Sequence, residues 1–160
     1  MARLEAGQSL PGGFPRWAPR FSQQFADQCH HAKEGDVFFP ALKQRGIPEQ
    51  GGPLGVLLRE HGLGRDCVGR VREASQAQQL DARTFADAAR QCLPLLRQHI
   101  FKENNVLFRM AEQVMSEADD ADVTGRFSQV EQEQGMTAWQ ESFAGEVARW
   151  EQALAGGQRA

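Results

Sequence analysis

A short frame of histidine, lysine and glutamate occurs twice in the sequence and constrains the fold more than any other feature. HHAKEGDVFF begins at His30, and a related stretch, HIFKENNVLF, begins at His99, 69 residues further along. In each copy Lys follows the first His by three residues and Glu follows it by four. Because residues four apart share a helix face, each copy predicts a helix that presents an imidazole beside a carboxylate.

The composition predicts an all-α fold. The 160 residues contain no Tyr, and Ala, Gln, Glu, Leu and Arg dominate, while Pro and Gly divide the chain into segments. We expect one domain over residues 1–160, with a core at about 21–115 and further C-terminal helices at about 120–155. The predicted helices cover about 16–45, 53–77, 81–115, 123–134 and 137–154, with Asp81 as an N-cap.

Charge and apolar content argue against two classes of partner. The net charge is −3, with Lys and Arg dispersed, so neither nucleic acid nor a membrane surface is an expected partner. No apolar run suits a spanning helix or a signal peptide, so we expect a cytoplasmic protein. Cys29, Cys67 and Cys92 are far apart and form no Cys-x-x-Cys pair, so reduced and mostly buried thiols are predicted.

The repeated histidines and glutamates point to a metal site. On the second copy, His99 and Glu103 lie in the apolar stripe of their helix and are expected to point inward. A buried carboxylate is costly unless it is paired, and two such pairs facing each other can share a pair of metal ions. His61, on the intervening helix, is a further candidate. His31 lies about 100° around the helix from His30 and is expected either as a ligand or as a supporting or surface residue.

These motifs resemble the hemerythrin-like, or HHE cation-binding, family, whose frame is a lone His followed by His-x-x-x-Glu, given twice. HHAKEGDVFFPAL, GGPLGVLLREH and LLRQHIFKENNVLF carry the resemblance. It implies an antiparallel helical bundle holding two non-haem Fe ions, with Mn or Zn as alternatives. It further implies that Glu34 and Glu103 bridge the two ions, that His61 and His99 bind one, and that His30 binds the other.

The sequence departs from the family frame in two places. Arg65 stands where the oxygen carriers of the family have a second His, which favours redox or sensing chemistry over oxygen carriage. His61 precedes His99 by 38 residues, and the same interval before His30 falls ahead of Met1. We therefore expect a truncated first helix, a late start site or a bundle short of one helix, and possible homo-oligomerisation through the exposed groove.

Three functions follow as hypotheses. The first is a di-iron protein that senses, binds or reduces O2, NO or peroxide, or that handles iron. The second is a helical interaction or regulatory module with a depleted metal site. The third, a di-iron oxidase of the ferritin type, fits less well because that design places Glu three residues before His. No catalytic residue and no organic cofactor site are predicted, so any reaction is expected to be metal redox chemistry.

Overall fold

The computed structural model describes residues 9–76 and 81–156, and within these ranges the chain forms an all-α bundle of five helices. The first helix, α1, covers residues 14–44 and contains the segments Phe14–Phe21, Ser22–His31, Glu34–Phe38 and Phe39–Gln44. Helix α2 is Pro53–Gln76. Helix α3 joins Ala82–Lys102, Glu103–Leu107 and Phe108–Val114, while α4 is Glu117–Glu133 and α5 is Met136–Gly156.

The predicted helices are all present, and the main difference lies at the start of α4. The polar stretch SEADDAD was expected to be a break, but α4 begins within it. Ser116 and Asp119 form a reciprocal capping box, in which the Asp119 carboxylate accepts from Ser116 N at 2.8 Å. Because the cap satisfies free amides and the acidic first turn suits the helix dipole, polar residues stabilise this helix start. Asp81 caps α3 as predicted.

Helices α1, α2 and α3 form the central layer. Asp27 of α1 lies beside Arg65 of α2, and Phe39 of α1 lies beside His61, so α1 and α2 run antiparallel. Glu60 of α2 contacts His99 of α3. Two apolar clusters fill the layer, one around Leu42, Leu54 and Leu107 and the other around Val71 and Phe85. The residues of the repeated frame lie between the two clusters along the helices.

The duplication extends to the backbone. Each glutamate of the repeated frame begins a five-residue π-helical segment, Glu34–Phe38 in α1 and Glu103–Leu107 in α3. A further π-helical segment, Ser22–His31, leads into the first frame and includes its two histidines. The wider turn of a π-helix changes which face each residue occupies, and such segments are common at functional sites. The sequence analysis assumed ordinary helical spacing and missed them.

Helices α4 and α5 pack antiparallel against α1. Lys33 Nζ lies 2.5 Å from Glu131 Oε1 of α4. Arg126 donates to the Asp36 carbonyl at 3.5 Å, and this carbonyl has no helical donor four residues on because Pro40 lacks an N–H. Helix α5 contacts α1 through Phe143 and Trp150, whereas Trp139 is exposed. None of the described helices is long and apolar enough to cross a membrane.

The cysteine prediction was wrong for two of the three thiols. Cys67 of α2 and Cys92 of α3 form a disulfide, with their Cα atoms 5.5 Å apart, whereas Cys29 is a buried free thiol as expected. Antiparallel packing of α2 on α3 brings together residues that are 25 positions apart in the sequence. Spacing alone gives no such signal, because disulfide connectivity depends on the tertiary fold.

We expect a thiol titration of the denatured, unreduced chain to detect one thiol, that of Cys29, and three thiols after reduction. Closing a loop of this length contributes about 3 kcal/mol to the free energy of unfolding. Cys67→Ala and reduction of the wild type should therefore lower it by similar amounts in urea titrations, and Cys29→Ala supplies the matched control that keeps the disulfide. Three thiols before reduction would show that the bond is absent.

Candidate metal centre

Four side chains of the repeated frame and the intervening helix converge in the interior. Glu34 of α1, His61 of α2, and His99 and Glu103 of α3 are each at most 4% exposed. One nitrogen or oxygen from each lies within 4.8 Å of all the others. Two carboxylates and two imidazoles thus surround one small volume, which we call the His/Glu cluster. Sequence analysis predicted all four residues as site residues.

The close approaches within the His/Glu cluster are not hydrogen bonds. His99 Nε2 lies 2.8 Å from Glu103 Oε1, and His61 Nε2 lies 3.3 Å from Glu34 Oε2. Yet these four atoms are buried and have no hydrogen-bond partner of acceptable geometry among the described residues. Unpaired buried polar atoms cost about 1–3 kcal/mol each, more when charged. Imidazole nitrogens and carboxylate oxygens gathered in this way can bind one shared cation, which would compensate all of them together.

The two adjacent histidines of α1 take different positions. His31 is 10% exposed at its side chain, stacks on the His61 ring with centroids 3.9 Å apart, and can group with His61 and His99 as metal ligands. His30 is 42% exposed, with Nε2 at 3.7 Å from Glu103 and 3.9 Å from Glu34. The cluster therefore has an inner side with three imidazoles and an outer side with one.

This arrangement differs in emphasis from the sequence analysis, which gave His30 the stronger role. The π-helical segment ending at His31 is the physical reason, since its wider turn directs His31 toward α2 while His30 remains beside Glu103 of α3. His31 also lies near Asp27, 3.5 Å from Nδ1 to Oδ1, and Asp27 pairs with Arg65 at 3.1 Å. Arg65 thus contacts Asp27, the neighbour of His31, rather than a residue of the His/Glu cluster.

Glu60 fixes the orientation of His99 and was missed from the sequence. His99 Nδ1 lies 3.1 Å from Glu60 Oε2. A carboxylate only accepts, so Nδ1 carries the proton and leaves the Nε2 lone pair facing Glu103. Lys102 donates to the other Glu60 oxygen. The Lys in both copies of the frame was the sequence signal that could have pointed to a carboxylate such as Glu60. Each of these lysines pairs with a carboxylate from another helix, Lys33 with Glu131 and Lys102 with Glu60.

Electrostatics favour the metal-binding form of His31 and of Glu103. Burial and the neighbouring histidines together lower the pKa of His31 to about 4, so its imidazole is neutral near pH 7. Glu103 raises the pKa of His30, and for His99 burial lowers the pKa but Glu103 and Glu60 outweigh it and leave it raised, so a cation competes with a proton at these two imidazoles. Burial would raise the pKa of Glu103, but His30 and His99 outweigh it and hold that pKa at about 2. Neutral imidazoles and ionised carboxylates are the forms that bind cations.

Replacing Glu34 with Met should stabilise the metal-free chain. The change removes a buried carboxylate that has no hydrogen-bond partner among the described residues and keeps a similar volume, so we expect the free energy of unfolding to rise by about 1–3 kcal/mol in urea titrations. The same variant should lose the increase in Tm that added metal gives the wild type. Glu112→Met, at an exposed position on α3, is the matched control. A less stable Glu34→Met chain would contradict the destabilising effect that we assign to the buried Glu34 carboxylate.

Glu60→Ala should weaken metal binding about 10- to 100-fold, because His99 loses the acceptor that sets its tautomer and ring orientation. Glu60→Gln keeps an acceptor oxygen and should retain most of the affinity. Competition between each chain and a chromophoric chelator for Zn²⁺ measures the difference. Equal loss in both variants would show that the charge of Glu60, rather than its hydrogen bond, matters.

Comparison with known proteins agrees with this geometry. The model of the family described as "Hemerythrin HHE cation binding domain" matches residues 1–111, which include all the histidines and both glutamates of the site. No curated protein and no solved structure matches the chain. The matched range ends within α3 and does not include α4 or α5.

Proposed function

Because the chain belongs to the hemerythrin HHE cation-binding domain family, we propose that the His/Glu cluster holds two non-haem iron ions. The observation that carries this proposal is the set of buried, unpaired donor atoms of Glu34, His61, His99 and Glu103. His31, His61 and His99 would serve the inner ion, His30 the outer ion, and the two carboxylates both. The carboxylates would neutralise the charge of the ions, and the two apolar clusters pack on either side of the site along the helices.

The proposed role is sensing, binding or reducing O2, NO or peroxide. A pair of ferrous ions supplies the electrons for such chemistry when bound. The exposed edge of His30 leaves the outer side of the cluster accessible from solvent, while His31, His61 and His99 line the inner side. The two sides of the site therefore differ in solvent exposure and in the number of imidazoles.

The interaction-module hypothesis has less support. A chain without metal keeps Glu34 and Glu103 buried beside imidazoles with atoms that lack hydrogen bonds among the described residues. Apolar residues of similar volume would stabilise such a bundle better. Exposed apolar residues do exist on α3, including Phe101 at 64% and Ile100 at 53%, but they lie apart from the cluster and do not explain its buried charges.

Metal analysis of the purified chain, with an optical spectrum, tests the proposal. We expect about two irons per chain, as the two bridging carboxylates imply, and absorption typical of oxo-bridged iron. Glu103→Ala should lose both ions because this carboxylate contacts both sides, whereas the exposed Glu112→Ala should lose neither. Unchanged iron in Glu103→Ala would remove its assigned role, and a chain without metal after iron reconstitution would overturn the proposal.

The two sides of the cluster should bind metal unequally. His30→Ala leaves three imidazoles on the inner side, so it should retain about one ion per chain, whereas His31→Ala weakens the inner side. Metal content after dialysis against a mild chelator distinguishes them, and we expect wild-type release in two phases. Equal retention in both variants, with release in a single phase, would contradict this asymmetry.

A further inference from the structure

A cavity of about 180 Å³ lies between α1 and α2, on the His31 side of the His/Glu cluster. Its walls are mainly small or apolar, and Leu96 of α3 contributes to them. Two polar bridges join the helices at this cavity, Arg65 with Asp27 at 3.1 Å and Arg72 with Gln23 at 3.3 Å. We call it the α1/α2 cavity; other residues that line it are Ser22, Ala26, His31, Gly64, Val68 and Gly69.

Glycines on α2 create the space. A Cβ added at Gly69 meets no atom within 4 Å, and one added at Gly64 meets only Leu96, at 4.0 Å. Two glycines in a helix interior each cost about 1 kcal/mol relative to Ala. Both positions border the cavity, so contacts with a neighbouring helix do not offset that cost.

The size and lining of the cavity define the ligand class. An apolar cavity of about 150 Å³ is enough to hold xenon or benzene. The arginines and Asp27 in its lining are engaged in the two bridges, so the walls offer little to a charged ligand. A small uncharged molecule gains contacts there without leaving polar atoms unpaired.

The position of His31 connects the cavity to the cluster. The His31 imidazole lines the cavity and stacks on His61, with ring centroids 3.9 Å apart, and His61 Nε2 lies 3.3 Å from Glu34. A molecule in the cavity is therefore separated from the cluster by one imidazole ring. The exposed edge of His30 opens on a different helix face and provides a separate approach for water and ions.

We propose that the α1/α2 cavity binds small uncharged apolar molecules of the diatomic-gas class and delivers them to the cluster past His31, an inference that rests on the proposed metal centre. Val68 and Gly69 then determine which molecules enter, because they line the cavity about two turns from His61 of α2. Filling the cavity should slow gas binding at the centre and leave the metal content unchanged.

Xenon tests the cavity independently of iron, using the full chain loaded with Zn²⁺ and amide chemical shifts as the readout. We expect xenon to shift the amides of Ala26, Gly64 and Val68. Gly69→Leu should abolish these shifts, with Val68→Phe as a second filling variant in case the first fails to fold. Gly125→Leu, on exposed α4 with open space around it, is the matched control and should keep them.

Stopped-flow mixing of the ferrous-loaded chains with NO tests delivery. Slower NO binding in both filling variants, at wild-type iron content and with Gly125→Leu unchanged, supports the proposal. Absence of xenon shifts in the wild type, or NO rates unaffected by filling the cavity, overturns it and leaves the metal centre standing. A chain that binds xenon but retains no metal contradicts the proposed function instead, and with it the delivery role.

Discussion

The burial of Glu34 and Glu103 beside three imidazoles is the constraint on which the rest of the structure depends. Charges in an apolar interior destabilise a fold unless a partner compensates them. Here the described residues bring nitrogen and oxygen atoms within hydrogen-bonding range without hydrogen-bond geometry, and a cation bound between them would supply the compensation. The two apolar clusters on either side maintain this arrangement, since each joins several helices around the site.

The repeated frame is explained by what each of its residues contacts. Both glutamates and His99 are buried, His30 lies at the exposed edge, and Lys33 and Lys102 cross to carboxylates of neighbouring helices. Each copy therefore combines a His/Glu pair with an ion pair that joins helices. The lysines differ in consequence, because Glu60 also accepts from His99 and links the Lys102 pair to the cluster, whereas Glu131 belongs to α4 and anchors that helix on α1.

The two sides of the site are unequal although the sequence frame is duplicated. Only the first copy has a second adjacent histidine and a π-helical segment before it, and together these place His31 beside His61 and His99. The same side adjoins the α1/α2 cavity, and the other side ends at the exposed His30. Access, the number of imidazoles and solvent exposure therefore all differ across a centre whose carboxylates are related by the repeat.

The sequence by itself determined the all-α fold, the approximate helix ranges and the inward-facing Glu34, His99 and Glu103, because helical periodicity and a repeated spacing are local properties of the chain. The same periodicity also directs His30 inward, but the structure leaves that side chain 42% exposed. The tertiary structure alone decided the rest. The π-helical turns that reposition His31, the pairing of Cys67 with Cys92 and the Glu60 contact with His99 each join helices that are distant in sequence or depart from regular spacing. Local patterns carry no information about which side chains meet once separate helices pack, so these features emerge only with the fold.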